Sequence, residues 1–126
     1  MNNLLSPPRS PHVRALYDRD VMETLTAPDP NGSVTPFEQL VRLHAALLEQ
    51  LANANSEAFA ADDAASSGDI LKAEQHFGYA TRYRRRAAET EGNIGAHLQT
   101  HPQLRVLDAE ARLEAEARRG LRISAP

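Results

Sequence analysis

Residues 35–69 read TPFEQLVRLHAALLEQLANANSEAFAADDAASSGD, and this stretch decides the fold. It opens with Thr35-Pro36-Phe37-Glu38, which combines an N-cap residue, a proline at the first helical position and a glutamate that can complete a capping box. After Pro36, neither glycine nor proline follows until Gly68. The pattern therefore predicts a helix of about 30 residues, which is roughly 45 Å long.

The apolar residues of this segment share one side of the predicted helix. They recur at intervals of three and four residues, which is the spacing of a buried helical face. The stripe comprises the apolar residues Phe37, Leu40, Val41, Leu47, Leu48, Leu51, Ala58 and Phe59 together with the polar residues His44, Asn55 and Asp62. Its large residues project in more than one direction, so a single neighbouring helix cannot enclose them. We expect buried anchors in contact with a second copy or another protein at Leu40, Leu47, Leu48, Leu51 and Phe59.

A turn signal follows the stripe at Ser66-Ser67-Gly68-Asp69. Gly68 can adopt the left-handed conformation that ends a helix, and Asp69 can cap the next helix. A loop this short makes its two helices run in opposite directions. The sequence therefore predicts a long antiparallel helical hairpin, with helices over 36–66 and 69–98.

The start of the second helix resembles the second helix of a tetratricopeptide repeat. Gly68-Asp69 is followed by Ala73, Phe77 and Ala80, at the spacing of small and large residues in that family. The resemblance covers residues 68–80. The predicted helices are too long for a repeat of about 34 residues, and no second copy occurs in the chain. We interpret the resemblance as hairpin chemistry that the two share.

Shorter elements are predicted on either side of the hairpin. Residues 1–10 are rich in proline and poor in apolar residues, which is typical of a flexible, disordered arm. A short amphipathic N-terminal helix is expected from residue 11 to about Thr26, and a C-terminal helix is expected to open at Thr100-His101-Pro102 and to stop at Gly120. The prediction is an all-α chain with one helical domain over 11–126, whose core is the hairpin at about 36–98.

Composition restricts the class of protein further. The chain has no cysteine, a net charge of −3 and 41% hydrophobic residues, so it has no disulfide framework and no thiolate metal site. It contains no run of about 18 apolar residues, and its first residues lack the pattern of a signal peptide. We expect a cytoplasmic protein that does not enter a membrane. The preference for arginine over lysine and the many alanines suggest a bacterial or phage sequence.

The histidines are the main candidates for metal chemistry, and their spacing argues against it. His97 and His101 are separated by one helical turn, as zinc ligands are, but the residues between them lack the catalytic glutamate. Pro102 also places His101 at a helix boundary. His44 lies on the apolar stripe and is more typical of a hydrogen-bonded core histidine. With no phosphate-binding loop and no nucleophile elbow, we predict no enzyme activity, no metal and no cofactor.

The most distinctive local feature is Arg82-Tyr83-Arg84-Arg85-Arg86. On a helix, Arg82, Arg85 and Arg86 share one face, and Tyr83 supplies an adjacent ring. Guanidinium groups bind carboxylates and phosphates with paired hydrogen bonds, so the cluster is a candidate site for an anionic partner. Arg84 is expected on the other side of the helix, near the packing seam.

An alternative interpretation pairs the same arginines within the fold. In the predicted hairpin, Glu49 lies roughly level with Arg86, and Glu89 can pair with Arg85 from one turn away. The segment between Arg42 and Lys72 carries acidic residues and no basic ones. The sequence leaves both interpretations open.

These observations favour a non-enzymatic helical protein-interaction module, such as an adaptor, an inhibitor or an assembly factor. Its partner would be another protein, a second copy of the chain, or both. The alternative is a nucleic-acid-binding accessory protein that uses the basic cluster of residues 82–86. That alternative is weakened by the negative net charge and by the scarcity of basic residues elsewhere in the hairpin, where only Arg42 and Lys72 occur.

Overall fold

The computed structural model describes residues 34–124, and these are almost entirely helical. Helix α1 spans Pro36–Ser66, α2 spans Ile70–Thr100, a 3₁₀ helix spans Pro102–Leu107, and α3 spans Asp108–Ser124. Within residues 34–124 there is no strand, so the predicted all-α class is confirmed. The arm expected over 1–10 and the helix expected up to Thr26 lie outside the described residues.

Helix α1 begins where the capping signal placed it. The Glu38 amide donates to Oγ1 of Thr35 over 3.0 Å, and the Gln39 amide donates to the Thr35 carbonyl over 2.9 Å. Pro36 occupies the first helical position, where the amide hydrogen that proline lacks has no partner in any case. The start and end predicted for this helix are confirmed.

The turn between α1 and α2 is a Schellman motif. Gly68 has a φ of +82°, its amide donates to the Ala65 carbonyl over 3.0 Å, and the Asp69 amide donates to the Ala64 carbonyl over 2.9 Å. Asp69 then caps α2, because its Oδ1 accepts from the Lys72 amide over 3.1 Å. Both predicted roles, glycine as the stop and aspartate as the cap, are confirmed.

The described residues divide into two compact units, one of which is Ala46–Asn93. Its interior is made of small side chains from α1 and α2. The buried residues here are Ala54, Ala61, Ala64, Ala80, Ala87 and Thr90. Two side-chain hydrogen bonds join the helices, from Thr90 Oγ1 to Gln50 Oε1 over 2.8 Å and between His76 and Glu57 over 2.6 Å.

The other unit comprises, among the described residues, 34–45 and 94–124, and its core contains larger side chains. The buried residues are Leu40, Val41, His44, Ile94, Leu104, Leu107, Ala111 and Ala115. His44 is 5% exposed, and its Nε2–H donates to Oδ1 of Asp108 over 2.7 Å. The prediction of a hydrogen-bonded core histidine at this position is confirmed.

The C-terminal helix differs from the prediction at both ends. Pro102 opens a 3₁₀ helix, whose first bond runs from the Leu104 amide to the His101 carbonyl over 2.9 Å, and α3 begins only at Asp108. At about three residues per turn, a 3₁₀ helix places Leu104 and Leu107 on one side, where both are buried. The predicted stop at Gly120 is wrong, since α3 continues to Ser124.

Candidate binding face

The middle of α2 carries two successive tyrosine–arginine pairs. Tyr79 and Arg82 are three residues apart, and Tyr83 and Arg86 repeat that spacing four residues later. The Arg82 Cζ lies 5.7 Å from the centre of the Tyr79 ring, and the Arg86 Cζ lies 5.9 Å from the centre of the Tyr83 ring. Both distances allow a cation–π interaction, which favours one placement of each long side chain. We call these four residues the Arg–Tyr face.

A cavity of about 260 Å³ opens beside this face. It is lined by the four residues of the face together with Glu57 from α1. The volume lies just below the range of about 300–1,000 Å³ typical of small-molecule sites. The cavity is therefore suited to a single side chain or a small anion.

Neighbouring side chains hold the wall of the cavity in place. His76 Nδ1–H donates to Glu57 Oε2 over 2.6 Å, and the His76 ring meets the Tyr79 ring edge-on with 6.2 Å between centres. Gln75 Nε2 donates to the Tyr79 hydroxyl over 3.1 Å. Tyr79 is thus fixed at its ring and at its hydroxyl. The Glu57 carboxylate already accepts a hydrogen bond from His76, so it does not need the arginines as hydrogen-bond donors.

The structure brings together part of the basic cluster that the sequence indicated. Arg82, Tyr83 and Arg86 line the cavity, whereas Arg85 is exposed outside it. Arg84, expected near the packing seam, lies at the edge of that seam and is also exposed. Viewed down α2, about 40° separates Arg84 from the buried Ala80, which leaves its long side chain free to extend from the edge of the seam into solvent.

The intramolecular pairings suggested for the cluster have different outcomes. Glu89 and Arg85 form no ion pair with each other, whereas Arg42, Arg112 and Arg118 are ion-paired. Glu49 takes part in a hydrogen bond or another electrostatic interaction. The carboxylate that lies beside the cluster in the cavity is Glu57.

Sequence reasoning missed two members of this site. Tyr79 stands one turn before Arg82, so the same three-residue rule that grouped the arginines could have found it. Glu57 is nineteen residues from His76, and their hydrogen bond depends on how the helices are aligned. No local signal in the sequence gives that alignment.

The apolar residues expected as anchors have different environments. Leu40 is completely buried in its own unit, and Leu47 and Leu48 are partly buried. Leu51 is 40% exposed and Phe59 is 76% exposed. The burial of these last two against a partner stays a prediction.

His97, one of the two histidines near the end of α2, is engaged in a hydrogen bond. The rings of His97 and His101 lie 4.9 Å apart and are tilted by 60°. His97 Nε2–H donates to the Pro36 carbonyl over 2.8 Å, so this nitrogen has no free lone pair for a metal. In the described part of the chain, no group of three or more potential ligands is placed to hold a metal ion.

A network of charges joins the start of α1 to α3. Arg118 donates to both carboxylate oxygens of Glu38, over 2.6 and 2.7 Å, and also to Glu114 over 3.1 Å. Arg42 donates to Glu38 over 3.2 Å. The hydrogen bond from Arg118, aided by Arg42, lowers the pKa of Glu38 below its ordinary value, and the same pairing raises the pKa of Arg118. This network stabilises the fold.

Among residues 34–124, no helix is both long enough and apolar enough to cross a membrane. Comparison with protein-family models, curated proteins and solved structures gave no match. A proposal for function therefore depends on the geometry of the site.

Proposed function

We propose that this protein is a non-enzymatic helical interaction module whose Arg–Tyr face docks an acidic surface of a protein partner. The observation that carries the proposal is the pair of arginines over tyrosine rings beside a cavity of about 260 Å³. Guanidinium groups that are already positioned lose less freedom on binding a carboxylate. The face therefore suits carboxylate recognition better than two freely moving arginines would.

The scaffold of the module is, in this proposal, an antiparallel helical hairpin. Two hydrogen-bonded pairs support that topology, because Gln50 bonds to Thr90 while the later residue Glu57 bonds to the earlier residue His76. From the first hydrogen-bonded pair to the second, the residue number rises in α1 and falls in α2, as it does in an antiparallel pair. The short Schellman turn at Gly68 has the same implication.

Charges on α1 favour a protein over nucleic acid. Between Arg42 and Lys72 the chain has only acidic charged residues, and Glu57 itself lines the cavity. A nucleic acid is a continuous polyanion and needs several phosphate contacts along its backbone to bind well. A protein partner can instead place one or two carboxylates at the arginines and neutral or basic groups elsewhere.

The experiment compares charge-changed variants in two binding assays. A fluorescein-labelled polyglutamate peptide and mixed-sequence DNA and RNA oligonucleotides are titrated with the protein and followed by fluorescence anisotropy. We expect Arg82→Glu/Arg85→Glu/Arg86→Glu to weaken peptide binding about tenfold or more, because the charge-assisted contacts of Arg82 and Arg86 are lost and the neighbouring Arg85 no longer attracts the peptide. Its melting temperature should stay nearly unchanged, because all three arginines are exposed and none of them is ion-paired within the described residues.

Arg84→Glu is the matched control for the single variant Arg82→Glu, because both reverse one charge on the same helix and only Arg82 lines the cavity. Arg84→Glu should weaken peptide binding much less than Arg82→Glu. Oligonucleotide binding that is tighter than peptide binding and falls steeply with salt would favour the nucleic-acid alternative. Unfolding of the triple variant would assign the cluster a structural role and end the proposal.

We also propose that the exposed apolar side of α1 contributes to assembly. Leu48, Leu51 and Phe59 fall on one side of the helix, and the exposure of Phe59 is unusual for a residue of its size. Burying such a ring against a second copy would contribute about 1.5–3 kcal/mol. This part of the proposal concerns self-association and does not depend on the Arg–Tyr face.

A further inference from the structure

The side of α2 that faces away from its buried seam carries a regular stripe. Six residues recur at alternating intervals of four and three, and all six are exposed. They are Leu71, Gln75, Gly78, Arg82, Arg85 and Glu89, which we call the outer stripe. Alternating steps of this kind are the spacing by which one helix packs along another. The buried Ala80 and Ala87 lie on the opposite side of the helix, so the stripe is free of the interior of its unit.

The chemistry of the outer stripe changes along its length. Leu71 is 81% exposed at one end. At Gly78, a methyl group built in place of the hydrogen would meet nothing within 4 Å, so the backbone there is open to close approach. Arg82 and Arg85 follow with two guanidinium groups, and Glu89 closes the stripe with a negative charge. From Leu71 to Glu89, the outer stripe is therefore first apolar, then without a side chain at Gly78, then basic and finally acidic.

We propose that the outer stripe seats one amphipathic α-helix of a partner protein, with acidic side chains at the turn that faces Arg82 and Arg85. This inference rests on the proposed function and specifies the partner. An apolar residue of the partner covers Leu71, and the backbone of the partner helix comes closest to α2 at Gly78. Its carboxylates end before Glu89, because like charges repel there.

Two physical arguments select a helix over other acidic partners. A helix satisfies its own backbone hydrogen bonds, whereas a partner that adds a β-strand would need a strand edge, and none exists in the part of the chain that the structure describes. A phosphate backbone gains nothing from Leu71 and is repelled by Glu89. A helix with mixed character matches every position of the stripe.

The first test uses synthetic helical peptides of defined pattern. An alanine-rich, fluorescein-labelled peptide of about three heptads carries one leucine and two glutamates. The glutamates lie eleven and fourteen residues from the leucine, as Arg82 and Arg85 lie from Leu71. In a second peptide the order of leucine and glutamates is reversed, so that it can bind with its chain running in the opposite direction. In the control peptides both glutamates are moved two positions, which carries them to the other side of the helix at equal charge.

We expect one matched peptide to bind about fivefold tighter than its shifted control, which is the effect of two exposed ion pairs. Arg82→Gln/Arg85→Gln should abolish that preference, and Arg84→Gln should retain it. Equal binding of matched and shifted peptides, or no binding of either, overturns the helical seat. In that case the proposed function still stands if polyglutamate binding depends on the arginines, so the two failures are distinguishable.

Gly78 provides a second, independent test. Because glycine is unfavourable inside a helix, Gly78→Ala should raise the melting temperature of the free protein. The added methyl group should nevertheless weaken the matched peptide about threefold or more, because close-packed interfaces respond to a single methyl group. Gly95→Ala is the control, since it makes the same change on α2 away from the stripe. Gly95→Ala should stabilise the protein without affecting binding. Unchanged peptide affinity in Gly78→Ala would refute the close approach and with it the proposed seat.

Discussion

Replacing Glu38 with glutamine removes the charge at the centre of the network between α1 and α3. Arg118 contacts both oxygens of this carboxylate, over 2.6 and 2.7 Å, and the two side chains are 28% and 45% exposed. Exposed ion pairs typically contribute about 0.2–1 kcal/mol, and two-point geometry places this pair near the upper limit, at about 1 kcal/mol. For a domain of this size, such a loss lowers the melting temperature by about 4 °C.

The difference between wild type and Glu38→Gln should depend on pH. The pKa of Glu38 is lowered in the folded protein because Arg118 and Arg42 bind its charged form. A group of this kind contributes stability above its unfolded pKa and loses it as pH falls through the folded pKa. The two proteins should therefore differ fully at pH 7 and converge in acid, as pH falls through the lowered pKa of Glu38.

Thermal unfolding followed by far-UV circular dichroism measures both effects. A double-mutant cycle with Arg118→Gln should return a coupling energy of about 1 kcal/mol at pH 7 and almost none in acid. Glu114→Gln is the comparison, since it removes a single contact of 3.1 Å and should cost about half as much or less. Equal melting temperatures at pH 7, or a difference that persists in acid, would refute the stabilising role of the ion pair between Glu38 and Arg118.

Three further predictions concern the turn, the core and the apolar side of α1. Gly68→Ala should destabilise the protein by about 1–2 kcal/mol in urea titrations, because the φ of +82° at this position disfavours a side chain. A loss of less than about 0.5 kcal/mol would contradict this prediction. His44→Leu should cost about 1–3 kcal/mol by the same measurement, since Asp108 loses its buried partner, and Asp108→Asn should cost less. Phe59→Glu should leave the melting temperature of the monomer unchanged and abolish any dimer in sedimentation, with Leu51→Glu as a milder variant; a chain that is monomeric before the change would disprove self-association.

Local signals in the sequence were sufficient for the two long helices. Thr35 and Pro36 define the start of α1, and Gly68 and Asp69 define the turn, through hydrogen bonds between residues at most five positions apart. Interactions at this range depend on residue type and spacing alone, so they can be predicted without a fold. The all-α class and the limits of α1 follow from them.

Contacts between distant residues were out of reach of the same reasoning. Glu38 and Arg118 are eighty residues apart, and His44 and Asp108 are sixty-four apart. Each pairing depends on where the 3₁₀ helix directs the chain after Pro102, and the sequence alone suggested an α-helix there. The exposure of Arg84 was missed for a related reason, because a position at the edge of a seam is either covered or open according to its neighbours.

The unit of residues 46–93 places small residues inside and large ones outside. Its buried positions are mainly alanines, whereas Phe59, Leu71 and Phe77 are 76%, 81% and 61% exposed. The unit of residues 34–45 and 94–124 instead buries leucines such as Leu40 and Leu104 completely. An alanine seam lets two helices approach closely, but it buries little apolar surface and so contributes little stability per residue. Large apolar and basic groups on the outside add nothing to that seam, and apolar side chains left in water are unfavourable unless something covers them. The distribution of side chains in residues 46–93 therefore supports the proposal that this unit binds a partner, and this argument does not depend on the outer stripe.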